Sequence, residues 1–132
     1  MEDELTARLL ATPALTALVG NRITWGERIK KEPVPAITML GVSPGRTYVH
    51  SGPDPTANPR IQFDCYAPTS LQAKAIARAL TETLETPATQ GSIRFSVALL
   101  DAERGPLIED VGGGLKVHRY SLDFFVWFSP AA

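Results

Sequence analysis

The stretch Arg60–Leu84, RIQFDCYAPTSLQAKAIARALTETL, decides the fold, because its hydrophobic period changes once and the signal for the change lies inside it. Ile61, Phe63 and Cys65 alternate with Arg60, Gln62 and Asp64, the period of two of a strand with one buried face. After Tyr66 the alternation stops. Ala67-Pro68 closes the strand, and Thr69 stands three residues before Gln72, a capping-box spacing in which each side chain satisfies an orphan backbone donor of a new helix. Leu71, Ala75, Ile76, Ala79, Leu80 and Leu84 then recur at three- and four-residue steps, with Gln72, Lys74, Arg78 and Glu82 mostly on the other side. The spacing predicts one amphipathic helix over about residues 70–85, with a sheet as its partner.

Upstream, Leu5, Leu9 and Leu10 mark a first short helix, and Thr12-Pro13 restarts the pattern as a cap and first-turn proline. The second helix carries Leu15, Leu18 and Val19 and ends at Gly20-Asn21. Arg22 to Pro35 reads as a connector holding Trp25 and a mixed-charge run, Glu27, Arg28, Lys30, Lys31 and Glu32. Ala36 to Val42 is a strand, interrupted by Pro44-Gly45 as a bulge or a turn because proline cannot donate to a ladder. Arg46 to His50 continues as an extended arm. Ser51 to Pro59, SGPDPTANP, has three prolines and no apolar residue larger than alanine, so it is expected to be a surface loop. With the Arg60 strand, these segments make a long antiparallel hairpin with an exposed tip.

Downstream, Pro87 to Gly91 is a breaker cluster, and Ile93, Phe95, Val97 and Leu99 alternate as a third strand. Asp101 to Lys116, with Gly105-Pro106 and Gly112-Gly113-Gly114, reads as a long loop of the kind that is functional or disordered. Tyr120, Leu122, Phe124, Val126 and Phe128 then define one face of the strongest strand. Its other face changes from Arg119, Ser121 and Asp123 to Phe125 and Trp127, an end expected to be covered by the N-terminal helices or a neighbouring subunit. The order is α-α-β-β-α-β-β. This is an α+β fold in which two antiparallel hairpins form one sheet and the Leu71–Leu84 helix packs on it. The strand order is left open.

The 132 residues fit a single domain, 1–132, and 44% hydrophobic with 20% charged residues argues against a disordered tail. A net charge of -1 gives no overall electrostatic reason to bind nucleic acid. The acidic start, MEDELTARLL, is unlike a secretory signal, and no apolar run approaches the roughly 18 residues of a membrane span, so a soluble protein, cytoplasmic in its producing cell, is expected.

Candidate chemistry is sparse. Cys65 with His50 or His118 would make a thiol nucleophile and base, but a lone cysteine alternating with Ile and Phe reads as a buried hydrophobe. Two distant histidines without paired cysteines give no metal-ligand spacing, and no cofactor motif is present; the triple glycine lacks the Lys-Ser or Lys-Thr of a phosphate loop. Asp64 and Asp123 alternate with Arg60 and Arg119, which favours cross-strand ion pairs over acid–base catalysis. Phe63, Phe95, Tyr120 and Phe124 fall on core faces, where they cannot stack bases.

The succession ALVGNRI, VPAITM, RTYVHSGPDP, RIQFDCYAPTSLQAKAIARAL and YSLDFFVWF resembles the phage tail-completion family, whose relatives include tail terminators of long-tailed phages and gene transfer agents. Gln62, Asp64, Cys65 and Tyr66, with Leu122, Asp123 and Phe124, carry most of the resemblance. It implies a non-enzymatic virion protein that assembles as a hexameric ring on the head-proximal end of the tail tube, stops tube polymerisation and meets the head-closure or connector protein. DNA would pass through such a ring with only transient contact, and no membrane is involved. A ring needs projecting elements that reach a neighbour. The arm with Arg46, Tyr48, His50, Asp54 and Arg60, the loop with Arg104, Glu109 and Lys116, and Trp127 are the candidate subunit-interface residues. The competing expectations are a small thiol-dependent or hydrolytic enzyme using Cys65 with a histidine, and a nucleic-acid-binding adaptor.

Overall fold

A computed structural model describes residues 1–26, 34–112 and 114–131. Helix α1 (Glu2–Leu10) opens with Glu2, Asp3 and Glu4 against the positive end of its dipole and closes with Arg8 in its last turn. Thr12 is extended, and Pro13 starts α2 (Pro13–Val19), which stops at Gly20 with φ 61°. Leu5, Leu9, Leu15 and Val19 are fully buried, whereas Leu10 and Leu18 are exposed. The expected connector after α2 contains a strand, β1 (Ile23–Trp25), which lies parallel to the first half of β2 (Ala36–Ser43). Its mixed-charge run, Glu27 to Glu32, falls outside the described residues.

The remaining elements are β3 (Arg46–Val49), β4 (Gly52–Ala57), β5 (Arg60–Ala67), α3 (Ser70–Glu85), β6 (Ala88–Gln90), β7 (Ile93–Phe95), β8 (Leu99–Gly112), β9 (Leu115–Phe125) and β10 (Phe128–Pro130). They form two five-stranded sheets, β1-β2-β5-β9-β8 and β3-β4-β10-β7-β6, where the sequence suggested one. The two lateral orders correspond. β2 continues into β3, β4 into β5, β7 into β8 and β9 into β10, so four neighbours in one sheet remain neighbours in the other. The architecture is one four-stranded antiparallel sheet creased once, its long strands in lateral order 1-2-4-3 because the chain crosses over through α3 between the second and third, with β1 added at one edge and β6 at the other.

The crease runs through the breaker residues. At Pro44-Gly45, Asn58-Pro59, Ser96–Ala98 and Val126-Trp127 the chain passes between the sheets, and backbone bonds bridge adjacent strands there. Asn58 N–H donates to Gly45 O at 2.9 Å, Val126 N–H to Pro59 O at 3.0 Å, and Ser96 N–H to Trp127 O at 2.9 Å. Gly45 has φ +60°, and a Cβ on it would lie 2.1 Å from the backbone of Asn58 and Pro59. Only glycine fits this approach.

Three expectations are corrected. Ser51–Pro59 is largely strand β4, half-exposed or exposed along its length; it bonds β3 and meets β10 at only one registered position, Ala57 opposite Phe128, so Pro53 and Pro55 face little demand for donors. Asp101–Lys116 is the β8–β9 hairpin rather than a loop. Its breakers sit at register shifts, Gly105-Pro106 between Arg104 and Leu107 and Gly112 after Asp110, where bulges absorb them. The Ile93–Leu99 alternation breaks at the crease. Ala98 N–H bonds Leu84 O of α3, so Ala98 is buried while Val97 and Leu99 are exposed.

Helix α3 starts as expected: Thr69 Oγ1 accepts from Gln72 N–H at 3.3 Å. Its buried stripe is Ala73, Ile76, Ala77, Leu80 and Leu84; Ile76, Leu80 and Leu84 are buried as expected, Ala73 and Ala77 join them, Ala79 is half-buried, and Leu71, 83% exposed, and Ala75 face out. It packs on β5, β9 and β8, over Ile61, Phe63, Cys65, Tyr120, Leu122 and Phe124. Phe63 meets Phe124 edge to face, with centroids 5.7 Å apart. Arg8 anchors α1 to the far end of this helix. Its guanidinium donates to Thr83 O at 2.6 Å and to Thr86 O, satisfying carbonyls of the last turn, and lies 5.3 Å from the centroid of Phe95.

Candidate assembly interface

The expected interface residues fall into two groups. Arg46, Tyr48 and His50 are exposed on β3 and the turn after it; the Arg46 guanidinium lies 5.7 Å from the centroid of Tyr48, which is 69% exposed. Lys116 is exposed near the tip of the β8–β9 hairpin. β5 ends opposite His118, so the hairpin beyond Ile108 extends past it as a two-stranded ribbon. Following the strands, this tip and the β3–β4 turn lie at opposite ends of the creased sheet.

The other candidates are engaged within the subunit. Asp54 Oδ1 accepts from Thr56 N–H at 2.9 Å. Arg60 donates to Asp123 Oδ2 at 2.8 Å, pairs with Asp101, and lies 5.5 Å from the centroid of Phe125. Arg104 reaches both oxygens of Asp123, at 3.2 and 3.3 Å, and Ser121 Oγ at 3.1 Å. Glu109 pairs with Arg119 at 3.7 Å, and Trp127 is half-buried at the crease. The cover over Phe125 is thus the Arg60 side chain, while α1 and α2 pack elsewhere, against β1, β6 and α3.

Of the cross-strand ion pairs expected among Arg60, Asp64, Arg119 and Asp123, Arg60–Asp123 forms, whereas Asp64 and Arg119 take other partners. In the β5–β9 register Gln62 stands opposite Asp123, which puts Arg60 diagonal to it, close enough to pair. Asp64 instead accepts from Gln62 at 3.1 Å, and Arg119 turns to Glu109 and over the ring of Tyr66. Arg104 joins the network from β8, a residue whose role the loop-like composition of its segment concealed. Burial alone would raise the Asp123 carboxyl; hydrogen bonds from Arg104 and Arg60, reinforced by their charges, outweigh it and hold the group below its ordinary 3.8.

Cys65 is completely buried. Burial, with Asp64 and Glu103 adding repulsion, pushes its thiol far above the ordinary range, so the residue named for thiol chemistry is neither accessible nor activated. His50 is exposed on the arm. His118 Nδ1 lies 2.7 Å from Ser70 Oγ, a contact that ties the start of α3 to β9 and that no sequence spacing announced. Among the described residues, no cluster of three metal-ligating side chains occurs, and no helix is long and apolar enough to cross a membrane.

Comparison with known proteins agrees with this arrangement. A chain in a structure described as "Virion of native gene transfer agent (GTA) particle" superimposes with a TM-score of 0.69, covering 99% of this chain and 95% of that one at 16% identity, a likeness of fold. No curated protein matches. A family model described as tail completion protein gp17 matches residues 3–129, nearly the whole chain, and so the protein belongs to the tail completion protein gp17 family, with a structural role in completing the phage tail.

Proposed function

We propose that this protein is a tail terminator: a one-domain, non-catalytic subunit that closes into a hexameric ring at the head-proximal end of the tail tube. The ring stops tube polymerisation and offers its far side to the head-closure or connector protein, and DNA crosses its lumen without tight binding. The subunit is held in the cytoplasm of the producing cell until it joins the virion. The observation that carries this reading is the family match over residues 3–129. The neighbouring fold comes from a gene transfer agent virion, which agrees with a place in a particle.

The geometry supports the assembly. The chain offers projecting strands at both ends of a creased sheet, the elements a subunit needs to reach its neighbours and two further partners. Arg46, Tyr48, His50 and Lys116 remain accessible for contacts, whereas Arg60, Arg104 and Glu109 shape the subunit first. Light scattering coupled to size exclusion, with the tail-tube protein present, tests the proposal. Rings of six and tubes of limited length are expected. Persistent monomers together with unchanged tube length would sink it.

A further inference from the structure

We propose that ring closure occurs by strand addition between two unlike edges of the creased sheet, residues 40–49 of one copy against residues 97–108 of the next. The proposal rests on the ring reading above and names the surfaces that close it. β1 covers the outer edge of β2 only as far as Met39, and among the described residues no strand pairs with the edge beyond it, through Leu40–Ser43 and into β3. On the opposite side β6 covers β7 from Ile93 to Phe95, and β8 is an edge strand throughout. Each free edge begins where its added strand stops.

Both edges are apolar beyond what a solitary subunit needs. Leu40, Val42, Tyr48 and Val49 are 50–69% exposed along the first, and Val97, Leu99, Leu100, Leu107 and Ile108 are 37–57% exposed along the second. A long edge with unpaired backbone groups and apolar side chains is a template for another strand. Their charges are complementary. Arg46 is the charged residue between positions 40 and 49, while residues 97–108 carry Asp101 and Glu103 against Arg104; Asp101 is paired with Arg60 and Arg104 with Asp123, so exposed Glu103 is the acid that meets an incoming Arg46. The edges differ from one another, so each selects the other and not itself, the condition for a head-to-tail ring.

Strand direction also fits. β2 is antiparallel to β5, β5 to β9 and β9 to β8, so β2 and β8 run in opposite directions. A neighbour related by rotation about the ring axis presents its β2–β3 edge antiparallel to β8, and the antiparallel alternation of the sheet continues across the boundary. A groove of about 390 Å³ lined by Met1, Trp25, Val42, Pro44, Pro59 and Phe128 opens beside the first edge and can receive an apolar side chain from the second.

Blocking one edge at a time tests this. Val42→Glu with Tyr48→Glu places acids on the first edge; Leu99→Lys with Ile108→Lys places cations on the second. Each of the four positions is at least half exposed, so the subunits should fold, which circular dichroism and thermal unfolding verify. Arg46→Glu provides a milder first-edge variant, expected to weaken assembly at least tenfold. With tail-tube protein present, wild type should form rings and each double variant alone should not. An equimolar mixture lets each intact edge meet its wild-type counterpart and sets the acidic first edge against the cationic second, so assembly should recover. Rings from either double variant, or a mixture that stays monomeric, would overturn the edge pairing while wild-type rings upheld the terminator reading. Wild type that neither closes rings nor limits tubes would remove both.

Discussion

The two faces of strands β2, β5 and β9 are both withdrawn from water, by opposite means. Toward α3, Ile37, Met39, Ile61, Phe63, Cys65, Leu122 and Phe124 are almost completely buried among apolar neighbours. On the other face Thr38, Asp64, Ser121 and Asp123 are also less than 9% exposed, with Arg60 and Arg104 reaching over Asp123. The first face is stabilised by non-directional burial and close packing, which are indifferent to ionisation. The second depends on each donor finding its acceptor, and it fixes the lateral placement of β5, β9 and β8 through a carboxylate shared by two strands' arginines. One face supplies the bulk of stability and the other specifies register.

Truncating each face separates the two contributions. Phe63→Ala removes a ring that is completely buried and packed against Phe124, and should cost about 3–5 kcal/mol in chemical denaturation, with little dependence on salt or on pH between about 4 and 8. A loss below about 1 kcal/mol would mean the α3 face is not the main source of stability. Asp123→Asn should cost about 2–3 kcal/mol at neutral pH, because it leaves Arg104 without its carboxylate and Arg60 with the more exposed Asp101 alone. Its signature is pH. Folding lowers the Asp123 carboxyl below its unfolded value, so the native state binds fewer protons; the stabilisation is complete above the unfolded value near 3.8 and disappears as pH falls through the lower folded value. The gap between wild type and variant should therefore narrow below pH 3.8. A gap constant down to the most acid pH at which the protein folds would show that the carboxylate's charge is not what matters there.

The same contrast explains what could be read in advance. The α3 face was legible because apolar alternation at Ile61, Phe63 and Cys65 and the Thr69–Gln72 cap are local signals, and both appear as expected. The crease was not. Pro44-Gly45 and Asn58-Pro59 announce an interruption, yet nothing local says that four interruptions align across a sheet. The ribbon was hidden by its own breakers, since Gly105-Pro106 reads as a loop until a bulge accommodates it; Gly105, at φ +150°, lies where a Cβ would come within 2.6 Å of the Tyr120 ring. Of the expected interface, Arg46 and Tyr48 were legible as an exposed arm, while Arg60 and Arg104 were claimed by an aspartate remote in sequence.

A smaller effect sharpens the account of how α3 is held over its face. Thr69→Ala deletes the side-chain acceptor for Gln72 N–H and should cost about 1 kcal/mol, because the helix is also secured by its buried stripe, by Ser70 against His118 and by Arg8 at its far end. Measured as a shift in denaturation midpoint with unchanged m-value, it tests whether the cap acts locally. A loss of 3 kcal/mol or more, on the order of a buried side chain, would mean that the cap determines the docking of the whole helix.

The smallest expected effect separates pattern from packing. Leu71 belongs to the apolar spacing written into the sequence, and by that spacing Leu71→Glu should behave like a core substitution, costing several kcal/mol (about 2–5). In the structure Ala73, Ile76, Ala77, Leu80 and Leu84 form the buried stripe, and Leu71 lies about 160° around the helix from Ala73 at 100° per residue. It is solvent-facing in the second position of α3, where a carboxylate is favoured by the helix dipole. Leu71→Glu should therefore change stability by no more than about 0.5 kcal/mol, in either direction. Leu80→Ala, on the opposite side of the same helix, should cost about 2–5 kcal/mol. Equal losses at the two positions would place Leu71 in the interior and return the helix to the orientation its sequence spacing suggests.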